Sequence, residues 1–164
     1  MIEKIYHNIL NSSTSPAFCI KGKYYNYGEL GQMIAKIQER LKYIGIKNQN
    51  IGVIANNDIE SYASILAILF SGGCFVPISS KNPKSRNQII VKAANISVIL
   101  SSKASLLDID TDKELRIIQT NELVTKSKVE KEMKLTFPEN AYILFTSGST
   151  GIPKGVIISK SNLE

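Results

Sequence analysis

Apolar residues recur along the chain in two alternating patterns. Apolar runs of strand length lie at residues 51–55 and 141–145, and a third at residues 96–100 is interrupted only by Ser97. Segments with apolar residues at 3-and-4 spacing lie before and between these runs. The runs are typical of strands covered on both faces, whereas the spacing predicts amphipathic helices. Parallel strands need such crossover connections. We therefore expect an α/β domain with a mostly parallel sheet and helices on its faces.

The first part of the chain is predicted to contain a hairpin and two helices. A hairpin within residues 17–26 should turn at Lys21-Gly22. A helix is expected from Gly28, with Gly45 as its C-cap. Asp58 should then cap a second helix, whose apolar residues lie nearly all round it, so that helix should be buried.

Glycine and proline divide the elements that follow. Gly72-Gly73 should stop the buried helix and permit close packing. A strand resumes at residues 74–76, and Pro77 should limit how far its ladder of hydrogen bonds runs. Pro83 should open another helix. The positions of this helix predicted to face the core are Ile89, Ile90, Ala93 and Ala94.

The stretch between residues 101 and 140 is more charged and less periodic. It contains a weak strand at residues 116–118 and a helix or loop at residues 121–134, two alternatives that the pattern leaves open.

Composition and charge narrow the class of protein. The 164 residues suffice for one core, and no apolar stretch approaches the ~18 residues of a membrane-spanning helix. The net charge of +6 comes from dispersed lysines without an aromatic-rich basic motif, so no nucleic acid is expected as a partner. Cys19 and Cys74 lack metal-ligand spacing and fit a reducing cytoplasm.

Three individual side chains are given structural interpretations. His7 is expected on the surface of an amphipathic N-terminal helix, and Cys74 is expected to act as a small core hydrophobe. Two roles are open for Arg86, contact with a ligand and an ion pair on a helix surface or between domains, and the ion pair is the expected one.

A polar loop follows the apolar run 141–145, before residues 156–158 resume apolar character. Its glycines permit backbone geometries in which consecutive N–H groups turn around an anion, and its hydroxyls and single lysine suit phosphate oxygens. The residues predicted to bind phosphate are Thr146, Ser147, Gly148, Ser149, Thr150, Gly151 and Lys154.

Two other interpretations of this loop were open from its residues: an ordinary exposed turn and the P-loop of an NTPase. A cluster of serine, threonine and glycine between strands is often an exposed turn. A P-loop NTPase is disfavoured, because counting from Gly148 puts Pro153 where the second glycine belongs and Gly155 where the Mg²⁺-binding hydroxyl belongs.

Residues 142–156 closely resemble the phosphate loop of the adenylate-forming superfamily, which includes acyl-CoA and aryl-CoA ligases, amino-acid adenylation domains and luciferases. Residues 25–30 resemble the family's early Tyr-x-Glu-Leu motif. Residues 69–78, followed by Pro83 and Arg86, resemble its Gly-x-x-Tyr-Val-Pro segment. The resemblance therefore extends over nearly the whole chain.

This resemblance implies that the loop binds the β- and γ-phosphates of ATP while a carboxylate attacks the α-phosphorus, giving an acyl-adenylate and pyrophosphate. The acyl group would then pass to a thiol of coenzyme A or of a carrier protein's phosphopantetheine. Residues 76–78 and their spacing to Pro83 and Arg86 look most like peptide synthetases and D-alanine–carrier protein ligases, so an amino acid is the expected substrate. The alternatives are an acyl- or aryl-CoA ligase and a non-catalytic module that binds a nucleotide or a partner.

By the same resemblance, residues 1–164 form the N-terminal subdomain of an AMP-binding or adenylation domain. The rest of the large domain, the C-terminal lid domain, the Mg²⁺ ligand and the catalytic residues are expected outside it, so this part alone should be inactive. Two positions depart from the family pattern. Ser79 stands where amino-acid-activating members often carry Asp, and Lys160 where many carry His.

Overall fold

The computed structural model describes residues 2–46, 48–103, 109, 115–124, 135–136, 138–146 and 153–163. The helices among them are α1 (Ile2–Asn11), α2 (Tyr27–Tyr43), α3 (Ile59–Phe70) and α4 (Lys84–Ala93). The strands are β1 (Pro16–Ile20), β2 (Lys23–Asn26), β3 (Asn50–Ile54), β4 (Cys74–Ile78), β5 (Val98–Ser101), β6 (Arg116–Gln119), β7 (Asn140–Thr146) and β8 (Lys154–Ser159). Short 3₁₀ turns cover Thr120–Glu122 and Lys160–Leu163.

Six of these strands form one sheet in the order β6-β5-β3-β4-β7-β8. Neighbouring strands from β6 to β7 run parallel, and β8 alone in this order runs antiparallel, to β7. Strands β1 and β2 make a separate antiparallel pair. The predicted α/β class with a mostly parallel sheet is therefore confirmed.

Helices cover the two faces of this sheet. Val53 and Leu100 belong to the apolar cluster that includes α2 and α3, whereas Ile54 and Ile99 belong to the cluster that includes α4. Successive residues of a strand point to opposite faces, so a strand buried on both sides must be apolar throughout. The continuous apolar runs in the sequence have this cause.

The N-terminal elements follow the sequence prediction closely. The hairpin turns at Lys21 and Gly22, which have positive φ angles of 52° and 80°. Helix α2 begins one residue before the predicted Gly28, because the side chain of Asn26 caps it. Its C-cap residue is Ile44, and the predicted Gly45 follows at a φ of 74°.

Helix α3 is the most deeply buried helix among the described residues. Asp58 is its N-cap, as predicted, and nine of the helix's twelve residues are buried. Gly72 and Gly73 follow its end, and a Cβ atom on Gly72 would lie 2.8 Å from Oδ1 of Asn48. The predictions of a buried helix and of close packing at the glycine pair are thus confirmed.

The prediction that Pro77 limits the ladder of β4 is wrong for the β3 side, where pairing continues through Pro77 to Ile78, but it agrees with the β7 side. Pro77 lacks an N–H group and is normally found where a strand has a free edge. Its pairing partner is Val53 of β3, while the register with β7 is confined to Phe75 and Tyr142. Pro77 therefore lies beyond the paired part of the β7 side.

The predicted core face of α4 is half wrong. Ile90 and Ala94 are buried, but Ile89 is 37% exposed and Ala93 is also exposed. The buried positions Asn87, Ile90, Val91 and Ala94 lie on one stripe of the helix, and at 3.6 residues per turn Ile89 and Ala93 fall outside this stripe and face solvent.

The less periodic region is only partly described. Strand β6 confirms the weak strand predicted at residues 116–118, and the 3₁₀ turn Thr120–Glu122 begins the stretch predicted as a helix or loop. Residues 125–134 of that stretch lie outside the described residues. No helix in the described part of the chain is long and apolar enough to cross a membrane.

Candidate functional site

The predicted phosphate loop begins and ends on neighbouring strands. Thr146, the last residue of β7, pairs directly with Lys154, the first residue of β8, and both are exposed. The loop predicted from Thr146 onward is therefore shorter, since both of these residues belong to strands. The other residues predicted to bind phosphate lie outside the described residues: Ser147, Gly148, Ser149, Thr150 and Gly151.

Gly155 has a steric role in this hairpin. A Cβ atom at this position would lie 3.1 Å from Cγ2 of Ile143 and 3.1 Å from Cζ of Phe145. Its φ is not among the positive values, so the left-handed freedom expected of this glycine is not what requires it. Gly155 instead lets β8 approach the apolar face of β7.

The ends of the loop present groups that suit an anion. The Thr146 hydroxyl and the Lys154 ammonium make no hydrogen bond or ion pair with another described residue, and both residues are exposed. A hydroxyl and an ammonium group can each donate to a phosphate oxygen. The described residues at this position therefore fit the phosphates of a nucleotide.

Arg86 lies next to the same strand end. Its Nη2 atom donates a hydrogen bond to the carbonyl oxygen of Phe145, the residue before Thr146, at 3.4 Å. The predicted ion pair is wrong for the part of the chain that the structure describes, where Arg86 contacts a backbone carbonyl rather than a carboxylate. An arginine on α4 thus contacts the base of the predicted loop.

A buried asparagine, which the sequence analysis missed, fixes the start of α4. Asn87 is 2% exposed, and its Nδ2 donates to the carbonyl oxygen of Ser79 at 2.9 Å. Its Oδ1 accepts from Nδ2 of Asn82 at 3.0 Å. The signal was a polar residue three positions before the buried Ile90, on the core-facing stripe of the helix. At Ser79, which departs from the family pattern, the backbone makes this contact.

A second polar cluster lies at the carboxyl ends of β3 and β5. Asp58 accepts hydrogen bonds from the Ser61 amide and hydroxyl and from the Ser102 hydroxyl. Burial alone would raise the pKa of Asp58, but these hydrogen bonds, with the charge of Lys103, outweigh it and lower that pKa. Only the capping role of Asp58 was predicted.

The structure also shows the surroundings of His7, Cys74 and Lys160. His7 is exposed on α1, where its Nδ1 lies 2.8 Å from Nδ2 of Asn11, as expected of a surface residue. Cys74 is 6% exposed, and burial raises its pKa to about 11, so its role as a core hydrophobe is confirmed. Lys160 lies with its Nζ 3.8 Å from Oε1 of Glu3.

Metal-ligand clusters and surface grooves add no further candidate site at the hairpin in the described part of the chain. No group of three or more His, Cys, Asp or Glu side chains that could hold a metal ion occurs among the described residues. A surface groove of about 600 Å³ lies between the C-terminal half of α2 and β6, and it contains none of the residues predicted to bind phosphate.

The fold is that of an α/β protein with a mostly parallel sheet covered on both faces. Its sequence has a polar stretch between β7 and β8. The family model described as AMP-binding enzyme matches residues 7–164. The chain belongs to this family, and the resemblance found in the sequence is confirmed.

The chain is similar to a carrier protein ligase and to a syringomycin synthase. It is 29% identical to the D-alanine–D-alanyl carrier protein ligase of Streptococcus agalactiae serotype V (strain ATCC BAA-611 / 2603 V/R), over 99% of this chain and 32% of that protein. It is 32% identical to syringomycin synthase SyrB1 of Pseudomonas syringae pv. syringae, over 85% of this chain and 23% of that protein. The chain thus spans about a third or less of these relatives.

Among solved structures, the chain is similar to holo-AB3403, a four-domain nonribosomal peptide synthetase bound to AMP and glycine. The TM-score is 0.79 at 27% sequence identity, with 96% of this chain and 11% of that chain covered. The chain therefore shares the fold of the matching part of that structure.

Proposed function

We propose that residues 1–164 are the N-terminal subdomain of an ATP-dependent ligase that activates a carboxylate as an acyl-adenylate and releases pyrophosphate. The single observation that carries this proposal is the pairing of Thr146 with Lys154 at the exposed end of the β7–β8 hairpin. A hydroxyl and a cation therefore stand at the ends of the two strands that flank the proposed phosphate loop. The family match over residues 7–164 supports the same assignment.

In the proposed enzyme, this chain holds the leaving group. Thr146 and Lys154, with Ser147, Gly148, Ser149, Thr150 and Gly151, would bind the β- and γ-phosphates of ATP. Donors and a cation fixed where negative charge develops stabilise the departing pyrophosphate, because such transfers depend mostly on positioning and electrostatics. Mg²⁺ would add positive charge on the phosphates, and its ligand is proposed to lie in the rest of the enzyme.

The proposed substrate is an amino acid, and the proposed acceptor is the phosphopantetheine thiol of a carrier protein. The similarity to a D-alanine–D-alanyl carrier protein ligase and to a peptide synthetase bound to AMP and glycine supports both. Coenzyme A is the alternative acceptor, for an acyl- or aryl-CoA ligase. The cytoplasm, where ATP is available, is the proposed location.

An apolar surface on the hairpin supports the assignment to a larger enzyme. Leu144 is 43% exposed and its cross-strand neighbour Val156 is 47% exposed on one face of the hairpin, and Ile157 is 58% exposed on the other face. Apolar side chains on an edge strand promote association unless other chain covers them. In the proposed enzyme, the remainder of the large domain covers this surface.

Substrate-dependent exchange of labelled pyrophosphate into ATP tests the proposal on the full-length enzyme. A panel of amino, aryl and fatty acids should give exchange with one class, which also decides between the two ligase types. Lys154→Ala should reduce exchange by about tenfold to a hundredfold, the loss expected for one charged hydrogen bond. Lys92→Ala, which removes a lysine from the last turn of α4, serves as the control.

Two results would count against this function. Absence of exchange with every acid in the panel excludes the ligase, and retained ATP binding would then favour a non-catalytic nucleotide-binding module. Unchanged exchange in Lys154→Ala would remove the phosphate-binding role of this residue.

A further inference from the structure

The guanidinium of Arg86 lies at the base of the predicted phosphate loop, although Arg86 itself belongs to a different element. It sits in the first turn of α4, and its contact with the Phe145 carbonyl joins segments separated by 59 residues. Phe145 immediately precedes Thr146, and residues 146–155 contain one cation of their own, Lys154. The fold therefore brings a second cation to this strand end.

This cation is not neutralised by the described part of the protein. Arg86 is half-buried, and its recorded contact there is one hydrogen bond to a neutral carbonyl, without a carboxylate at ion-pair distance. A guanidinium group has five N–H donors, so most of them are available for other acceptors. Burying part of a cation is unfavourable unless an anion compensates it. An anionic ligand would supply that compensation.

The backbone that carries Arg86 is held in place by its neighbour. Asn87 is almost fully buried and bonds both the Ser79 carbonyl and the Asn82 side chain, which fixes the first turn of α4 against the loop after β4. A charge on an anchored segment needs little reorganisation when the ligand arrives. Arg86 is therefore positioned before any phosphate binds.

We propose that Arg86 is a second cation of the phosphate site and acts together with Lys154 on the phosphates of ATP. The proposal rests on the proposed function, which assigned no role to Arg86. The two charges approach from different elements, Arg86 from α4 and Lys154 from β8. Each oxygen of the departing pyrophosphate gains more from two fixed cations than from one.

Equilibrium binding of tripolyphosphate and of ATP to the full-length enzyme, measured by titration calorimetry over a range of salt concentrations, tests this role. Arg86→Gln should weaken tripolyphosphate binding by about three- to tenfold and reduce its salt dependence, as expected for a charge acting across a partly screened distance. Arg86→Lys should recover most of the affinity, because it keeps the charge. In kinetics, Arg86→Gln should raise the KM for ATP and leave the KM for the carboxylate unchanged.

Lys92→Gln, which removes one charge from the opposite end of α4, is the matched control and should bind like the wild type. Thermal melting of every variant identifies loss of folding. If wild type binds tripolyphosphate and Lys154→Ala weakens it, but Arg86→Gln binds normally, Arg86 has no such role while the proposed function stands. Equal losses in Arg86→Lys and Arg86→Gln at unchanged salt dependence would reduce Arg86 to a structural contact. A wild-type enzyme that binds neither ligand overturns both proposals.

Discussion

The Ser102 hydroxyl donates a hydrogen bond to Oδ2 of Asp58 at 2.5 Å and joins segments that lie 44 residues apart. The other carboxylate oxygen of Asp58 accepts from the amide and hydroxyl of Ser61. One carboxylate thus caps α3 and links its start to the segment after β5 by hydrogen bonds. These bonds hold the carboxyl ends of the neighbouring parallel strands β3 and β5 in place.

The hydrogen bonds to Asp58 make the free energy of unfolding depend on pH. The folded pKa lies below the ordinary value of 3.8, so the ionised side chain stabilises the fold above that value. The stabilisation is lost as the pH falls from 3.8 through the folded pKa. Asp58→Asn keeps a capping side chain but loses the carboxylate, and should cost about 1 kcal/mol at pH 7. Urea unfolding at pH 7 and pH 3 should show a smaller difference at the lower pH.

Glu60→Gln removes a carboxylate from the same turn of α3 and controls for the charge itself. A cost of Asp58→Asn that stays constant between the two pH values would contradict the role assigned to the carboxylate.

The start of α2 depends on a reciprocal pair of hydrogen bonds. The Glu29 amide donates to Oδ1 of Asn26, and the Asn26 amide donates to Oε2 of Glu29, each at 2.8 Å. Asn26→Ala leaves a helix-end amide without its partner and should destabilise the protein by about 1 kcal/mol. Asn26→Asp retains the acceptor and should remain close to wild type. Thermal or urea unfolding of the two variants checks this, and equal stability of Asn26→Ala and wild type would argue against the cap.

Gly52 allows β3 to pack tightly against the α4 side of the core. A Cβ atom there would lie 2.7 Å from Cδ1 of Ile78 and 2.8 Å from Cγ1 of Ile99. Gly52→Ala overpacks this layer and should cost about 1–3 kcal/mol in the free energy of unfolding. Ile78→Val removes the nearer methyl group, so the double variant should be less destabilised than the sum of the single changes. Strict additivity in denaturant unfolding would show that the clash is relieved elsewhere.

The two cysteines should differ in reactivity. Cys19 is exposed, whereas Cys74 is buried and its pKa is raised to about 11. At pH 8, only about one part in a thousand of Cys74 would be the reactive thiolate, and its burial limits access further. Brief treatment with iodoacetamide, followed by peptide mass spectrometry, should label Cys19 in the native protein and both residues in urea. Native labelling of Cys74 at a similar rate would contradict its position in the core.

Local sequence signals predicted most of the elements correctly. Asp58, Gly45 and the Lys21-Gly22 turn act through neighbours within a few residues, so their roles follow from chemistry that the sequence displays directly. The buried face of a helix was predicted less well, as the exposed Ile89 shows. Helix α4 is short, and the sheet on which it packs determines which of its residues are buried.

For the candidate site as well, one part was predictable from the sequence and another part required the tertiary structure. The order of residues from Thr146 to Lys154 predicted a phosphate loop and indicated the family without any coordinates, since the pattern is continuous in sequence, and the family is confirmed. Only the tertiary structure shows that Thr146 and Lys154 pair across a hairpin. It also shows that Arg86 of helix α4 contacts Phe145 of strand β7. Contacts between residues 59 positions apart depend on how strands are ordered in the sheet, and that order is set by packing of the whole core rather than by any local pattern.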